Sequence, residues 1–148
     1  MEVEPKIMIN PANIIESGNG VMQNNLRVFI SDDSPVVRVR LASMISDIKG
    51  VDLVGEAQNV EDSLELIQKL NPDAVILDIR MPGGSGIDVL QAIKRRENPP
   101  LVIILTNYSF PQYKKICLES GADFFFDKSD EYYKIVDIFK NLVAFEDS

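Results

Sequence analysis

The sequence predicts an α/β fold: a doubly wound, five-stranded parallel sheet in the order 2-1-3-4-5, flanked by five helices. Two observations carry this reading. From Leu26 onward, short apolar runs of strand length alternate strictly with amphipathic segments of helix length. Most of the runs are continuous and not alternating, as strands buried on both faces of a parallel sheet require. The runs are LRVFI (26–30), VDLVGEA (51–57), DAVILD (73–78), LVIIL (101–105) and DFFFD (123–127). Crossovers between parallel strands are right-handed, which fixes the winding.

The helices follow in the gaps. Val37, Leu41, Met44, Ile45 and Ile48 fall at helical spacing, as do Val60, Leu64 and Ile67, then Leu90 and Ile93, then Ile135, Phe139, Leu142 and Val143. Ser34 before Pro35 reads as an N-cap followed by a first-turn proline. Pro111 is placed to open the fourth helix, and Ser129 before Asp130 and Glu131 to start the fifth with an acidic first turn. Cys117, at helical spacing with Tyr113 and Ile116, reads as a packed core thiol. Residues 1–25, rich in Asn, Gly, Ser and Pro, read as an extension that is mostly loop, and 26–148 as the folded unit. No second domain is expected in 148 residues organised this way.

Composition narrows the function. Fifteen Lys and Arg against 23 Asp and Glu leave a net charge of −8, which argues against direct nucleic-acid binding and against an anionic membrane surface. His is absent, which removes Ser–His and Cys–His catalytic pairs and the commonest metal ligand. A single Cys forbids an internal disulfide or a CxxC metal site and suits a reducing cytoplasm. No apolar run approaches the roughly 18 residues of a membrane span.

Sites in such sheets form at the carboxyl ends of the strands, where the strand order reverses. Strand one ends in Asp32 and Asp33, strand three in Asp78 and strand four in Thr106, and strand five is followed by Lys128. Strands one and three are neighbours in this order, so three carboxylates meet in one crevice. Two carboxylates about 4 Å apart repel by roughly 4 kcal/mol at an effective dielectric near 20. A hard divalent cation offsets that, and oxygen ligands suit Mg²⁺. Lys128 can pair with a phosphate oxygen and Thr106 can donate to another. The set reads as a phosphoryl site in which one carboxylate is a candidate nucleophile.

Four stretches, FISDDSP (29–35), VILDIRMPGGSGIDVL (75–90), IILTN (103–107) and GADFFFDKS (121–129), resemble in order and spacing the receiver domain of two-component response regulators. The resemblance spans about residues 26–145. It implies that Asp78 accepts a phosphoryl group from a partner phosphohistidine, on a sensor histidine kinase or a histidine phosphotransfer protein. It implies Mg²⁺ held by the side chains of Asp33 and Asp78, by Asp32 through water, and by the backbone carbonyl of Arg80. Thr106 and Lys128 would grip the phosphoryl group, and Phe125 holds the position of an aromatic switch residue. Met81 and Pro82, followed by Gly83, Gly84 and Gly86, match the flexible loop after the phosphorylated strand. The output is then expected on the face made by helix four, strand five and helix five, through partner binding, dimerisation or phosphate relay. The chain departs from the family pattern at Ser129, where many members carry a proline, often in a cis bond. Arg80 and Tyr108 stand two residues past Asp78 and Thr106, where the family tunes the lifetime of the phosphoryl group.

Rival classes fit less well. A dehalogenase-like phosphatase also uses an Asp nucleophile and Mg²⁺, but it wants a second Asp where Arg80 stands. Flavodoxins share the strand order, but their phosphate loop after strand one would be repelled by SDDSP. A P-loop NTPase lacks its GxxxxGK[ST]. The nearest alternative is a receiver-fold interaction module that works without phosphorylation. The reading is of a signalling phosphoacceptor and not of an enzyme that turns over a substrate.

Overall fold

The computed structural model describes residues 15–16, 22–23 and 25–147, with side chains described for 25–144. Five strands, β1 (Leu26–Ser31), β2 (Val51–Ala57), β3 (Ala74–Leu77), β4 (Leu101–Thr106) and β5 (Phe124–Asp127), alternate with α1 (Pro35–Ser46), α2 (Val60–Leu70), α3 (Gly86–Lys94), α4 (Pro111–Glu119) and α5 (Tyr132–Asp147). The sheet runs β2-β1-β3-β4-β5 and every pairing within it is parallel. Fold class and strand order are therefore those the sequence predicts.

Strand alternation sorts the apolar side chains into two cores. Phe29, Val75, Leu77, Val102, Ile104 and Phe125 pack with Ile67, Leu90, Ile93 and Cys117 under α2, α3 and α4. Val28, Ile30, Ile76, Ile103 and Leu105 pack with Leu41, Ile45, Ile135 and Phe139 under α1 and α5. Both faces of the central strands are covered, which is why those strands read as unbroken apolar runs. Burying one such side chain contributes about 1.5–3 kcal/mol, so the central strands are the most firmly anchored part of the sheet.

Local signals set the helix starts. The Ser34 hydroxyl accepts the Val37 amide at 3.3 Å with Pro35 in the first turn. Asn59 caps α2 by accepting the Asp62 amide at 2.7 Å. Ser85 and Asp88 form a reciprocal capping box at α3, and Pro111 opens α4. Arg40 lies 3.8 Å from the ring centre of Tyr132 and ties α1 to α5.

The start of α5 differs from the sequence expectation. Helix α5 begins at Tyr132, so Ser129, Asp130 and Glu131 precede it and do not form its first turn. Ser129 is drawn off because its amide and hydroxyl both donate to the Asp127 carboxylate. Cys117 is fully buried, as the packed-thiol reading expects, and the buried stripe of α4 passes through it and half-buried Tyr113, while Ile116 is 42% exposed. The glycine-rich segment after β3 is a tight antiparallel ladder, Arg80 opposite Ser85 and Met81 opposite Gly84. Of residues 1–25, which the sequence reads as mostly loop, Ile15–Glu16 pairs with Met22–Gln23, Asn25 donates to Asp52 just before β1, and the others lie outside the described residues.

Burial pushes the Cys117 thiol up to about 11. The buried neutral thiol therefore favours the fold fully below the free thiol value of about 8.5, and this contribution is lost as pH rises toward the folded value. Unfolding curves should show stability falling over that alkaline range, with a flatter decline in Cys117→Ala. Native protein should resist iodoacetamide at pH 8 and react only once denatured.

Candidate functional site

The residue just beyond each of three strands is fixed by one further rung of the ladder. The Asp32 amide donates to the Ala57 carbonyl at 3.0 Å, the Asp78 amide to the Ser31 carbonyl at 3.0 Å, and the Lys128 amide to the Thr106 carbonyl at 2.9 Å. Strand order does the rest. Because β1 and β3 are neighbours, Asp32 and Asp78 leave the same edge of the sheet side by side. Ligand oxygens of Asp32, Asp33 and Asp78 all lie within 4.8 Å of one another, with Asp33 exposed and the other two buried.

Lys128 spans this group. Its Nζ donates to Asp32 Oδ2 and to Asp78 Oδ2, each at 2.7 Å. Asp32, Asp78 and Lys128 are only 2%, 5% and 8% exposed, so these charges interact with little screening by water. Burial raises the Asp32 carboxyl above its ordinary value, even though Lys128 and the Ser34 amide pull it down. Burial also works against the Lys128 ammonium, but its hydrogen bonds to Asp32 and Asp78 outweigh that and hold it above the usual lysine value. One ammonium faces three carboxylates, so the crevice keeps an excess of negative charge. Asp78 Oδ1 is buried with no hydrogen-bond partner among the described residues. An unsatisfied buried carboxylate oxygen is costly, and a hard cation of the Mg²⁺ type matches this all-oxygen donor set.

The remaining candidates do not join the carboxylate group. Thr106 is fully buried at the end of β4, and its hydroxyl accepts the Tyr108 amide at 3.0 Å. Exposed Arg80 stands in the short ladder, its guanidinium 4.7 Å from the Tyr108 ring centre. Phe125 is buried beneath α4, while Phe124 and Phe126 stack against each other at 5.8 Å on the opposite face. Gly86 allows α3 to start hard against β3, since a Cβ there would fall 1.8 Å from the Asp78 carbonyl oxygen. No peptide bond among the described residues is cis, and Ser129 sits in a turn built on Asp127.

Three supporting groups escaped the sequence reading. Arg38 donates to the Asp32 carbonyl at 2.7 Å and lies 3.5 Å from Glu56, bracing the acidic turn from α1. Its place one turn after Ser34 was the only available signal. The Ser31 and Ser63 hydroxyls meet at 2.5 Å under the crevice, with the Met81 sulfur 3.1 Å from Ser31; nothing in the sequence pairs a strand serine with a helix serine. Asp127 accepts from Ser109 and Ser129, although in sequence it reads only as the end of a strand.

Comparison with known proteins agrees with this architecture. The family model described as response regulator receiver domain matches residues 28–140. The sensory transduction protein LytT of Bacillus anthracis is 35% identical over 107 residues, covering 72% of this chain and 43% of that protein. The chain spans about half the length of the curated relatives it matches. Among solved structures, the signal receiver domain of NarL from Mycobacterium tuberculosis is 32% identical with a TM-score of 0.74, covering 81% of this chain and 97% of that one. The CheX–CheY–BeF3–Mg²⁺ complex from Borrelia burgdorferi is 26% identical with a TM-score of 0.71, covering 89% and 96%. With the sheet order, the acidic crevice and the family match in agreement, this chain belongs to the response regulator receiver domain family of two-component signalling.

Proposed function

We propose that this chain is a Mg²⁺-dependent phosphoreceiver in which Asp78 accepts a phosphoryl group from a partner phosphohistidine. The observation that carries the reading is the Lys128 bridge between Asp32 and Asp78 beside the unpartnered Asp78 Oδ1. Asp33 and Asp78 would hold the metal directly, Asp32 through water, and the Arg80 carbonyl would complete the set. A metal bound there would neutralise charge on the phosphoryl oxygens during transfer. The Asp78 carboxylate attacks phosphorus as the P–N bond of the donor breaks, and the bonding pair stays with the donor imidazole. Lys128 exchanges a carboxylate partner for a phosphoryl oxygen, and the Thr106 hydroxyl donates to another. Positioning and charge balance supply most of what such a transfer needs.

The product is an acyl phosphate that water can hydrolyse, so the signal is transient and the chain acts as a signalling acceptor and not as a turnover enzyme. We read Phe125 as the residue that responds when Thr106 is drawn toward the phosphoryl group, reshaping the face of α4, β5 and α5. Exposed Ile116, Leu118 and Tyr133 on α4 and α5 support that face as the output surface, for a downstream protein or a second copy. The folded unit is taken as 26–148. The charge of −8 supports a protein and not a nucleic-acid partner for this segment. Among the described residues no helix is long and apolar enough to cross a membrane, and a cytoplasmic location accompanies a kinase partner.

With Mg²⁺ and a small acyl-phosphate donor, intact-mass measurement should show wild type gaining one phosphoryl group and Asp78→Asn gaining none. Absence of any gain in wild type under metal-saturating conditions would favour the interaction module that works unphosphorylated. Asp78→Asn should also be more stable than wild type in metal-free buffer. The variant sheds two repulsions for one attraction, a gain on the order of 1 kcal/mol visible as a higher melting temperature. Its melting temperature should respond less to added Mg²⁺.

A further inference from the structure

The side chains around the turn that carries Lys128 converge on one carboxylate, that of Asp127. Asp127 Oδ1 accepts the Ser129 amide at 2.8 Å and the Ser129 hydroxyl at 2.6 Å. Its Oδ2 accepts the Ser109 hydroxyl at 2.5 Å. Ser129 belongs to the segment between β5 and α5, and Ser109 to the segment between β4 and α4. The two segments meet because Thr106 and Asp127 are register partners at the last rung of the sheet. On the backbone side, the Asp127 amide donates to Glu131 Oε1 at 2.9 Å, and the Asp127 carbonyl accepts the Glu131 amide at 3.0 Å. Lys134 in turn pairs with Glu131.

We propose that Asp127 is a positioning residue for phosphoryl transfer, clamping the β4–α4 and β5–α5 segments together so that Lys128 and Thr106 converge on Asp78. This rests on the phosphoreceiver reading above. A lysine side chain is a flexible four-carbon stem, so the point its ammonium reaches depends on how firmly its backbone is aimed. Lys128 has one backbone tie of its own, the rung to Thr106, and the residues on either side of it are joined through Asp127. Thr106 lies three residues before Ser109, the other end of the clamp. The three donors also hold the Asp127 carboxyl down at about 2, so the clamp is ionised at neutral pH.

The test is the single-turnover rate of phosphorylation by an acyl-phosphate donor at saturating Mg²⁺, followed by intact mass. It is run beside the Mg²⁺ dissociation constant and the melting temperature of each variant. Asp127→Ala should react about tenfold or more slowly with its Mg²⁺ affinity unchanged, since misaiming a catalytic group costs rate before it costs binding. Asp127→Asn should stay within about threefold of wild type, because its amide oxygen still accepts from Ser129. Ser109→Ala, a change at an exposed hydroxyl, should slow the reaction by itself and add little in the Asp127→Ala background. Wild-type rates in Asp127→Ala would overturn the clamp. So would a loss that tracks melting temperature and Mg²⁺ affinity and is not rescued by Asn. A wild-type chain that takes no phosphate overturns the phosphoreceiver reading itself, and the clamp with it.

Discussion

The structure turns on one electrostatic imbalance: three carboxylates share a crevice with a single ammonium. Water would ordinarily dilute such a conflict, but Asp32, Asp78 and Lys128 are nearly sealed from it. Lys128 divides itself evenly, 2.7 Å from each of two carboxylates, and still leaves one Asp78 oxygen without a donor. A site arranged this way is stable enough to fold yet remains poised to accept positive charge. On the proposed function, a divalent cation and a phosphoryl group would together meet both halves of that demand, one as charge and the other as a partner for the lysine.

The fold makes the imbalance unavoidable. Asp32, Asp78 and Lys128 each lie one step beyond a buried strand and are held by one extra hydrogen bond of the ladder. Moving any of them away would break a rung at the end of a strand whose apolar side chains anchor both cores. The close seat of α3 at Gly86 and the brace from Arg38 limit what the backbone around Asp78 and Asp32 can do to relax. Stability of the sheet and the charge imbalance at its edge therefore have the same origin.

What the sequence made legible follows from this. Buried strands announce themselves as apolar runs, and a polar residue that ends such a run must stand at the sheet's edge. Asp32, Asp33, Asp78, Thr106 and Lys128 could therefore be assigned to one region without coordinates. Contacts made by side chains across loops carry no such periodic signal. Ser129 looked like a helix cap because the acidic pair after it imitates a first turn, but the nearer Asp127 carboxylate captured both of its donors. Cys117 could be read as a packed thiol, and α4 does bury it while its neighbour Ile116 stays exposed. The ladder at Arg80–Met81 lies in a stretch whose glycines suggest looseness, and a tight turn uses the same residues. The serine pair under the crevice joins positions far apart in the chain, which only the packing of α2 on the sheet brings together.

The most direct test of the charge-balance account is a calorimetric titration of the unphosphorylated protein with Mg²⁺. The account predicts one ion bound per chain, and loss of that binding in Asp33→Asn, a change at an exposed side chain that the fold should tolerate. A wild-type protein that binds no ion, or an Asp33→Asn variant that binds as wild type does, would contradict it.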